Sequence, residues 1–161
     1  MVQLGWKAGP EQYGPVELLE YAVAADKAGF DLLDVSDHFH PWSEAGQCPF
    51  TWTWLGAAAV QTSKIRVGTG VTCPIERYHP AIIAQAGATV SRFAPRRTYL
   101  GVGTGEALNE YVSHPVPMII SSLYSSTLNW GLTLSSSTRP VQIRVLLLNA
   151  MAVIYCPRYA L

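Results

Sequence analysis

The first 110 residues predict an α/β fold built on a parallel sheet. Short apolar segments rich in β-branched residues alternate with longer segments of helical character, and glycine or proline separates most of them. Because parallel strands need crossover connections, this order places helices against the faces of one sheet. Two architectures fit, an open doubly wound sheet or part of a (β/α)8 barrel. In both, functional residues collect at the carboxyl ends of the strands.

The chain begins with a predicted strand over residues 2–7, which the sequence Ala8-Gly9-Pro10 ends because glycine and proline favour a loop. A helix is predicted over residues 15–27, since Pro15 has the fixed φ that suits a first turn. Gly29 suits the left-handed position that closes such a helix. The apolar residues of this helix form two adjacent stripes, Val16, Leu19 and Val23 on one, and Leu18, Ala22 and Ala25 on the other.

The same reasoning assigns the remaining elements up to residue 102. Strands are predicted where apolar and β-branched residues cluster between turn signals, and helices where alanine or helical periodicity dominates. A polar and aromatic loop, residues 37–49, follows the second strand, and Pro80 begins the last helix. The predicted strands cover residues 32–36, 65–71 and 98–102, and the predicted helices cover residues 52–60 and 80–93.

The charge distribution divides the chain near Tyr111. Residues 1–110 contain all 11 acidic and 8 of the 11 basic residues, whereas residues 111–161 contain three arginines and neither lysine nor acid. Twelve of the 13 glycines also precede residue 111. We therefore predict two unlike segments, of which 111–161 is an atypical tail. Its longest apolar run, 145–155, is interrupted by Asn149 and is roughly half as long as a membrane-spanning helix, which favours a buried strand or helix over a membrane span, with irregular structure as the alternative.

Composition excludes several classes of function. The formal net charge of zero gives no electrostatic footprint for nucleic acid. Three cysteines that lie far apart argue against a disulfide framework and favour a reducing, cytoplasmic compartment. The N-terminus shows no basic segment followed by an apolar run, so no signal peptide is predicted. We expect neither a nucleic acid nor a membrane as a partner.

The run Ser36-Asp37-His38-Phe39-His40-Pro41-Trp42 is the first candidate site. It places an acid, two imidazoles and an indole in a loop directly after a strand, where loops carry function. Histidine is the side chain best suited to exchange a proton near neutral pH. The alternative is that Asp37 and His38 only cap the loop and hydrogen-bond its backbone.

A metal site is a second interpretation of the same run. His38 and His40 are two residues apart, so on a strand both imidazoles would face one zinc ion. Only two other histidines exist in the chain, which makes a metallohydrolase site a weak alternative. Cys48 and Cys73 have no base nearby in the sequence and are interpreted as packed thiols rather than nucleophiles.

The run Gly101-Val102-Gly103-Thr104-Gly105-Glu106 is the third candidate. Its backbone N–H groups could donate hydrogen bonds to an anion or a ring oxygen at the start of the following helix, although the spacing differs from G-x-G-x-x-G. The alternative is a tight turn that needs glycine for its dihedral angles. In that case Glu106 would only complement the dipole of the helix.

Four ordered motifs resemble the luciferase-like monooxygenase superfamily, and within it the deazaflavin-dependent oxidoreductases of the glucose-6-phosphate dehydrogenase type. The resemblance covers residues 1–110 and no further. The motifs are the run 36–42, then Gly68-Thr69-Gly70-Val71-Thr72-Cys73-Pro74, then Arg77-Tyr78-His79-Pro80-Ala81, then Leu100-Gly101-Val102-Gly103-Thr104-Gly105-Glu106-Ala107-Leu108-Asn109-Glu110.

The resemblance implies a partial (β/α)8 TIM barrel of about four βα units, followed by the atypical tail. It implies coenzyme F-420 as the cofactor, with FMN as the alternative, and hydride transfer from an alcohol, such as a sugar phosphate, to the deazaflavin. His38 would take the hydroxyl proton, Glu106 would protonate the deazaflavin, and Trp42 would steady the reacting pair. A cis peptide would fall at Gly70-Val71. The residues that would line the cofactor are Asp37, Gly70, Val71, Thr104, Gly105 and Asn109.

The tail departs from the family pattern, so we expect a truncated oxidoreductase. Residues 1–110 supply half of a barrel that typically takes about 250 residues, and the open strand edges would favour association between copies. The alternative from another class is a non-catalytic remnant that binds the cofactor. In either case Asp37, Gly70 and Thr104 should converge on one concave surface that receives a small-molecule substrate.

Overall fold

Four parallel strands form the first part of the sheet. The computed structural model describes residues 2–105, 107–110, 144–148 and 151–155. Within these ranges the strands pair in chain order, with β1 against β2, β2 against β3 and β3 against β4, as the predicted alternation requires. No described helix is both long enough and apolar enough to cross a bilayer. The strands are β1 (Gly5–Ala8), β2 (Leu32–Val35), β3 (Arg66–Thr72) and β4 (Thr98–Val102), and the helices are α1 (Pro15–Ala28), α2 (Thr51–Gln61), α3 (Pro80–Phe93) and α4 (Ala107–Glu110).

The predicted bounds of the last helix and of the fourth strand are confirmed, and most others differ by one or two residues. The largest difference lies at the first strand, which begins at Gly5 rather than at residue 2. The backbone N–H of Leu4 bonds the carboxylate of Asp31 at 2.9 Å, and its carbonyl accepts from the backbone N–H of Asp31 at 2.8 Å. Leu4 therefore bonds Asp31 in the turn that precedes β2, and it does not belong to strand β1.

Two further strands extend the sheet beyond β4, and each pairs with its neighbour in the antiparallel direction. β5 (Arg144–Leu148) and β6 (Met151–Tyr155) pair antiparallel to each other, and β6 pairs antiparallel to β4. The strand order is β1-β2-β3-β4-β6-β5. The apolar run 145–155 thus contains two strands, with Asn149 between them. Met1, Glu106 and residues 111–143, 149–150 and 156–161 lie outside the described part of the chain, so the other expectations for the tail remain predictions.

Helix α1 buries one of its two apolar stripes fully and the other only in part. Leu18 and Ala22 are fully buried in the core against the sheet, whereas on the other stripe Leu19 and Val23 are half-buried and Val16 is 72% exposed. The helix ends as predicted at Gly29, which has a φ of 87° and whose N–H bonds the carbonyls at the end of α1. Glycine adopts this left-handed conformation without steric cost.

A buried carboxylate joins α1 to the turn between α2 and β3. Asp26 Oδ1 accepts from the backbone N–H groups of Lys64 and Ile65 at 2.9 and 2.6 Å. Its Oδ2 accepts from the backbone N–H and the hydroxyl of Ser63 at 2.8 and 3.0 Å. Burial opposes ionisation, but these hydrogen bonds outweigh it and lower the pKa of Asp26. The carboxylate therefore sets where β3 enters the sheet.

Strands β3 and β4 approach so closely that glycine is required between them. A Cβ at Gly101 would overlap the carbonyl oxygen of Thr69, whose hydroxyl donates to the carbonyl of Gly101 at 2.8 Å. A Cβ at Gly103 would lie 2.5 Å from a methyl carbon of Val71. The glycines of the fourth motif therefore allow the two strands to pack against each other just before their carboxyl ends.

We expect Asp26→Asn to lower the free energy of unfolding by about 2–4 kcal/mol at pH 7, because the amide replaces one accepting oxygen with a donor. Since the folded pKa of Asp26 is lowered, this contribution is complete above the ordinary aspartate pKa and disappears as the pH falls through the folded value. The difference between the two proteins should therefore shrink below about pH 4. Urea unfolding at several pH values measures it, with exposed Glu20→Gln on α1 as the control.

A pair of glycine substitutions tests the packing of β3 against β4. Gly101→Ala should destabilise the fold, since the clash is with backbone and cannot be relieved by a side-chain rotation. Gly56→Ala, within α2 and with no atom within 4 Å of its Cβ, should instead stabilise the fold by about 0.5–1 kcal/mol. Thermal unfolding compares the two, and equal effects at both positions would contradict the proposed steric constraint.

Candidate active site

The carboxyl ends of β2, β3 and β4 meet at one edge of the sheet. The hydroxyl of Thr72 donates to Asp37 Oδ2 at 2.8 Å, and the carbonyl of Thr72 accepts from the backbone N–H of Gly103 at 3.0 Å. The backbone N–H of Asp37 faces the carbonyl of Val71 at 3.4 Å. The segments that follow the three strands are therefore in direct contact, as their common position at strand ends predicts.

Side chains from other elements hold the backbone of residues 36–40. This segment forms neither helix nor strand, so its polar groups need partners elsewhere. Asn109 is fully buried, and its Oδ1 accepts from the backbone N–H groups of Phe39 and His40 at 2.7 and 2.9 Å. Three carbonyls of the segment accept from side chains, Ser36 from Thr51 at 2.6 Å, Asp37 from Arg77, and His38 from Cys48 at 3.2 Å.

A buried carboxylate lies against the imidazole of His38. Nδ1 of His38 is 2.5 Å from Oε1 of Glu11, at angles outside those of a good hydrogen bond, and neither atom has another partner among the described residues. The Glu11 side chain is 4% exposed. Burial alone would raise the pKa of Glu11, but the interaction with His38 and its own backbone lowers it overall. Glu11 is thus an ionised carboxylate beside the candidate base.

The indole of Trp42 lies on the solvent side of His38. The two ring centroids are 5.8 Å apart with an interplanar angle of 52°, and Trp42 is 66% exposed. His38 itself has a side chain that is 20% exposed. The structure therefore brings together His38 and Trp42, as the resemblance implies, whereas Glu106 lies outside the described residues.

Asp37 belongs to a buried cluster of charged and phenolic groups. Its Oδ1 accepts from the hydroxyl of Tyr78 at 2.9 Å and lies 3.3 Å from Nη2 of Arg77. On its other side, Arg77 reaches Glu110 with Nε 3.3 Å from Oε2. Burial tends to lower the pKa of Arg77, but the charge of Asp37 raises it overall, so the guanidinium stays charged. For Glu110, burial raises the pKa and the charge of Arg77 only partly offsets this effect.

The residues expected to line the cofactor surround this edge. The peptide bond between Gly70 and Val71 is cis, which confirms what the resemblance implies. The ammonium of Lys7 donates to the carbonyl of Gly70 and, at 3.1 Å, to Oδ2 of Asp34. Thr104 and Gly105 are exposed, and Gly105 has a φ of 78°.

Two predicted lining residues are buried instead of exposed at this surface. Asp37 is 2% exposed and Asn109 is fully buried, and both use side-chain oxygens to bond the protein itself. Any contact that they make with a cofactor remains a prediction. Gly70, Val71, Thr104 and Gly105 are the predicted lining residues that retain some solvent exposure.

The described residues do not support the metal interpretation. They contain no group of three or more histidine, cysteine or acidic side chains that could hold a metal ion. His38 faces Glu11, while the exposed ring of His40 packs edge-on against Phe39 at 5.0 Å. The thiols of Cys48 and Cys73 have raised pKa values, mainly because they are buried, which agrees with the interpretation as packed thiols.

Three residues of the site were not predicted from the sequence. Glu11 follows β1, so the rule that functional groups lie at strand ends could have identified it. Arg77 and Tyr78 belong to a motif that carried the resemblance, but nothing in their local sequence indicates that they contact Asp37. Their contact spans 40 or more residues of the chain.

The fold is a partial (β/α)8 barrel, and its candidate site lies at the carboxyl ends of the strands. Residues 2–119 match the luciferase-like monooxygenase family. The chain therefore belongs to the luciferase-like monooxygenases.

This chain is similar to several curated proteins. It is 54% identical over 110 residues to the F420-dependent glucose-6-phosphate dehydrogenase of Segniliparus rotundus, and 52% identical over 110 residues to that of Mycolicibacterium gilvum. Each match covers 68% of this chain and 33% of the relative. The chain thus spans about a third of the length of these curated relatives.

Two solved structures resemble the fold. An F420-dependent secondary alcohol dehydrogenase in complex with an F420-acetone adduct has a TM-score of 0.73 at 34% identity, covering 98% of this chain and 47% of that chain. The coenzyme F420-dependent tetrahydromethanopterin reductase from Methanopyrus kandleri has a TM-score of 0.61 at 27% identity, covering 73% of this chain and 31% of that chain.

We expect Asn109→Ala to loosen the segment that carries His38. The change removes the acceptor of two backbone N–H groups and leaves a cavity, so the free energy of unfolding should fall by about 2–3 kcal/mol. Amide hydrogen exchange at Phe39 and His40 should accelerate at least about tenfold, since both residues are exposed once released. The amide of Ala22 in α1 is the internal control, and unchanged exchange at both loop positions would contradict the assigned role of Asn109.

Proposed function

We propose that the chain is the amino-terminal half of an oxidoreductase that transfers a hydride between an alcohol carbon and a deazaflavin cofactor, coenzyme F-420. The observation that carries the proposal is the pair of His38 and buried Glu11, located at the edge where the segments that follow β2, β3 and β4 meet. The names of the similar proteins support the cofactor and the alcohol class. Residues 1–110 would form this half, and 111–161 the atypical tail.

The exposed backbone at Thr104 and Gly105 would lie against the ring system of the cofactor. Gly105 is needed at this turn because its φ is 78° and because a Cβ there would lie 2.5 Å from a side-chain carbon of Glu110. Val71 and Thr104 would complete the wall that holds the ring. When bound, the deazaflavin would supply an acceptor for the hydride of the substrate carbon.

His38 would hold the substrate hydroxyl and take its proton. An alcohol loses its hydroxyl proton and a hydride when it is oxidised, so a base near neutral pH must lie beside the oxygen. Oε1 of Glu11 lies 2.5 Å from Nδ1 of His38, so this buried carboxylate would hold the imidazole in place for the step. Trp42 would cover the reacting pair from solvent, and Glu106 would be the acid on the cofactor side.

A chain that binds the cofactor without efficient turnover is the second candidate. The described strands β1 to β4 supply walls on one side of the site, whereas full catalysis requires reactants that are fixed and shielded from water on all sides. The substrate would be a small molecule with a secondary hydroxyl or a sugar-phosphate hydroxyl.

Titration with oxidised deazaflavin, followed by fluorescence, tests the proposal. We expect saturable binding to the wild-type chain and, with glucose 6-phosphate or 2-propanol, no efficient reduction of the cofactor. His38→Ala should retain most of the binding, because His38 contacts the alcohol oxygen in the proposed geometry. The control is His79→Ala at the start of α3, whose side chain bonds the backbone of its own helix.

The outcomes separate the two candidates. Robust turnover that His38→Ala abolishes and His79→Ala preserves would establish the oxidoreductase and overturn the second candidate. Absence of saturable deazaflavin binding by the folded wild-type chain would overturn both.

A further inference from the structure

The guanidinium of Arg77 joins the segments that follow three different strands. Its Nη2 donates to the backbone carbonyl of Asp37, which precedes His38, and lies 3.3 Å from the Asp37 carboxylate. Its Nε lies 3.3 Å from the carboxylate of Glu110 in α4. The side chain is 8% exposed, so these are contacts within the protein interior.

Tyr78 completes the surroundings of this group. Nη1 of Arg77 donates to the hydroxyl of Tyr78 at 3.1 Å, and that hydroxyl donates to Asp37 at 2.9 Å. The guanidinium carbon also lies 4.8 Å from the centre of the Tyr78 ring. All three kinds of guanidinium nitrogen are therefore engaged, each with a different partner.

We propose that Arg77 is a positioning residue for His38. It acts through the peptide unit that joins Asp37 to His38, and it sets the distance between this unit and α4. The planar guanidinium donates from three separate nitrogens in fixed directions, whereas the three N–H groups of an ammonium leave a single atom and reach only acceptors around that one point. Arg77 thus sets the position of the imidazole relative to the exposed turn at Thr104 and Gly105, from which α4 continues. The proposal rests on the proposed function only where cofactor binding is concerned.

The geometry also explains why a lysine would not replace this arginine. Two buried carboxylates, Asp37 and Glu110, need a positive charge between them, and both arginine and lysine supply it. Only arginine also donates to the Asp37 carbonyl while it contacts Glu110. Arg77→Lys keeps the positive charge but removes the planar guanidinium, so it tests the geometry of the group by itself.

The experiment compares Arg77→Lys with Arg92→Lys, the same change at an exposed position near the end of α3. The first measurement is the ring ¹³C–¹H signal of His38 at fixed pH in protein with labelled histidine, assigned by its loss in His38→Ala. We expect a resolved shift of this signal in Arg77→Lys and none in Arg92→Lys. The second measurement is the Kd for oxidised deazaflavin, which we expect to rise about tenfold in Arg77→Lys, since small displacements at such sites have large effects.

The results separate this proposal from the proposed function. An unmoved His38 signal in folded Arg77→Lys overturns the positioning role, whether or not the thermal stability falls. If Arg77→Lys does not fold, Glu110→Gln, which keeps the guanidinium and changes one partner, must shift the same signal, and an unmoved signal there also overturns the proposal. A shifted signal in a chain that does not bind deazaflavin supports the positioning role while it overturns the proposed function.

Discussion

The backbone between Ser36 and His40 carries the candidate base without belonging to a helix or a strand, so its polar groups must be bonded by side chains from elsewhere. Partners come from α2, from the loop before α3 and from α4, and among them Asn109 bonds two consecutive N–H groups. The position of His38 is consequently a property of the assembled sheet and helices. A fragment that lacked any one of these elements would carry the same motif without the same geometry.

Charge burial around Asp37 is possible because the acidic groups there share a partner of opposite sign. Asp37 and Glu110 lie on opposite sides of the Arg77 guanidinium. A buried carboxylate without such a partner would be protonated instead. The network thus contributes more to the arrangement of the segments that follow β2, β3 and β4 than to net stability, because desolvation offsets much of the attraction between buried charges.

The sequence alone predicts the alternation of strands and helices and the edge at which the site forms. These features depend on local signals, since periodicity, glycine and proline act within a few residues. The roles of His38 and Trp42 come from the family resemblance and remain predictions. The roles of Arg77 and Asn109 could not be predicted, because each depends on a contact 40 or more residues away along the chain. The buried stripe of α1 was ambiguous for the same reason, since the sheet decides which apolar face it covers.

The close packing of β3 against β4 limits how this part of the molecule can change over evolutionary time. At Gly101 every other amino acid would add at least a Cβ, and the atom that it meets is the backbone oxygen of Thr69. A change there cannot be compensated by a smaller neighbour, because backbone has no smaller alternative. Gly101 therefore cannot be replaced by a single substitution without distorting the strands. Exposed residues that follow β4, such as Thr104, can vary without disturbing β3 and β4.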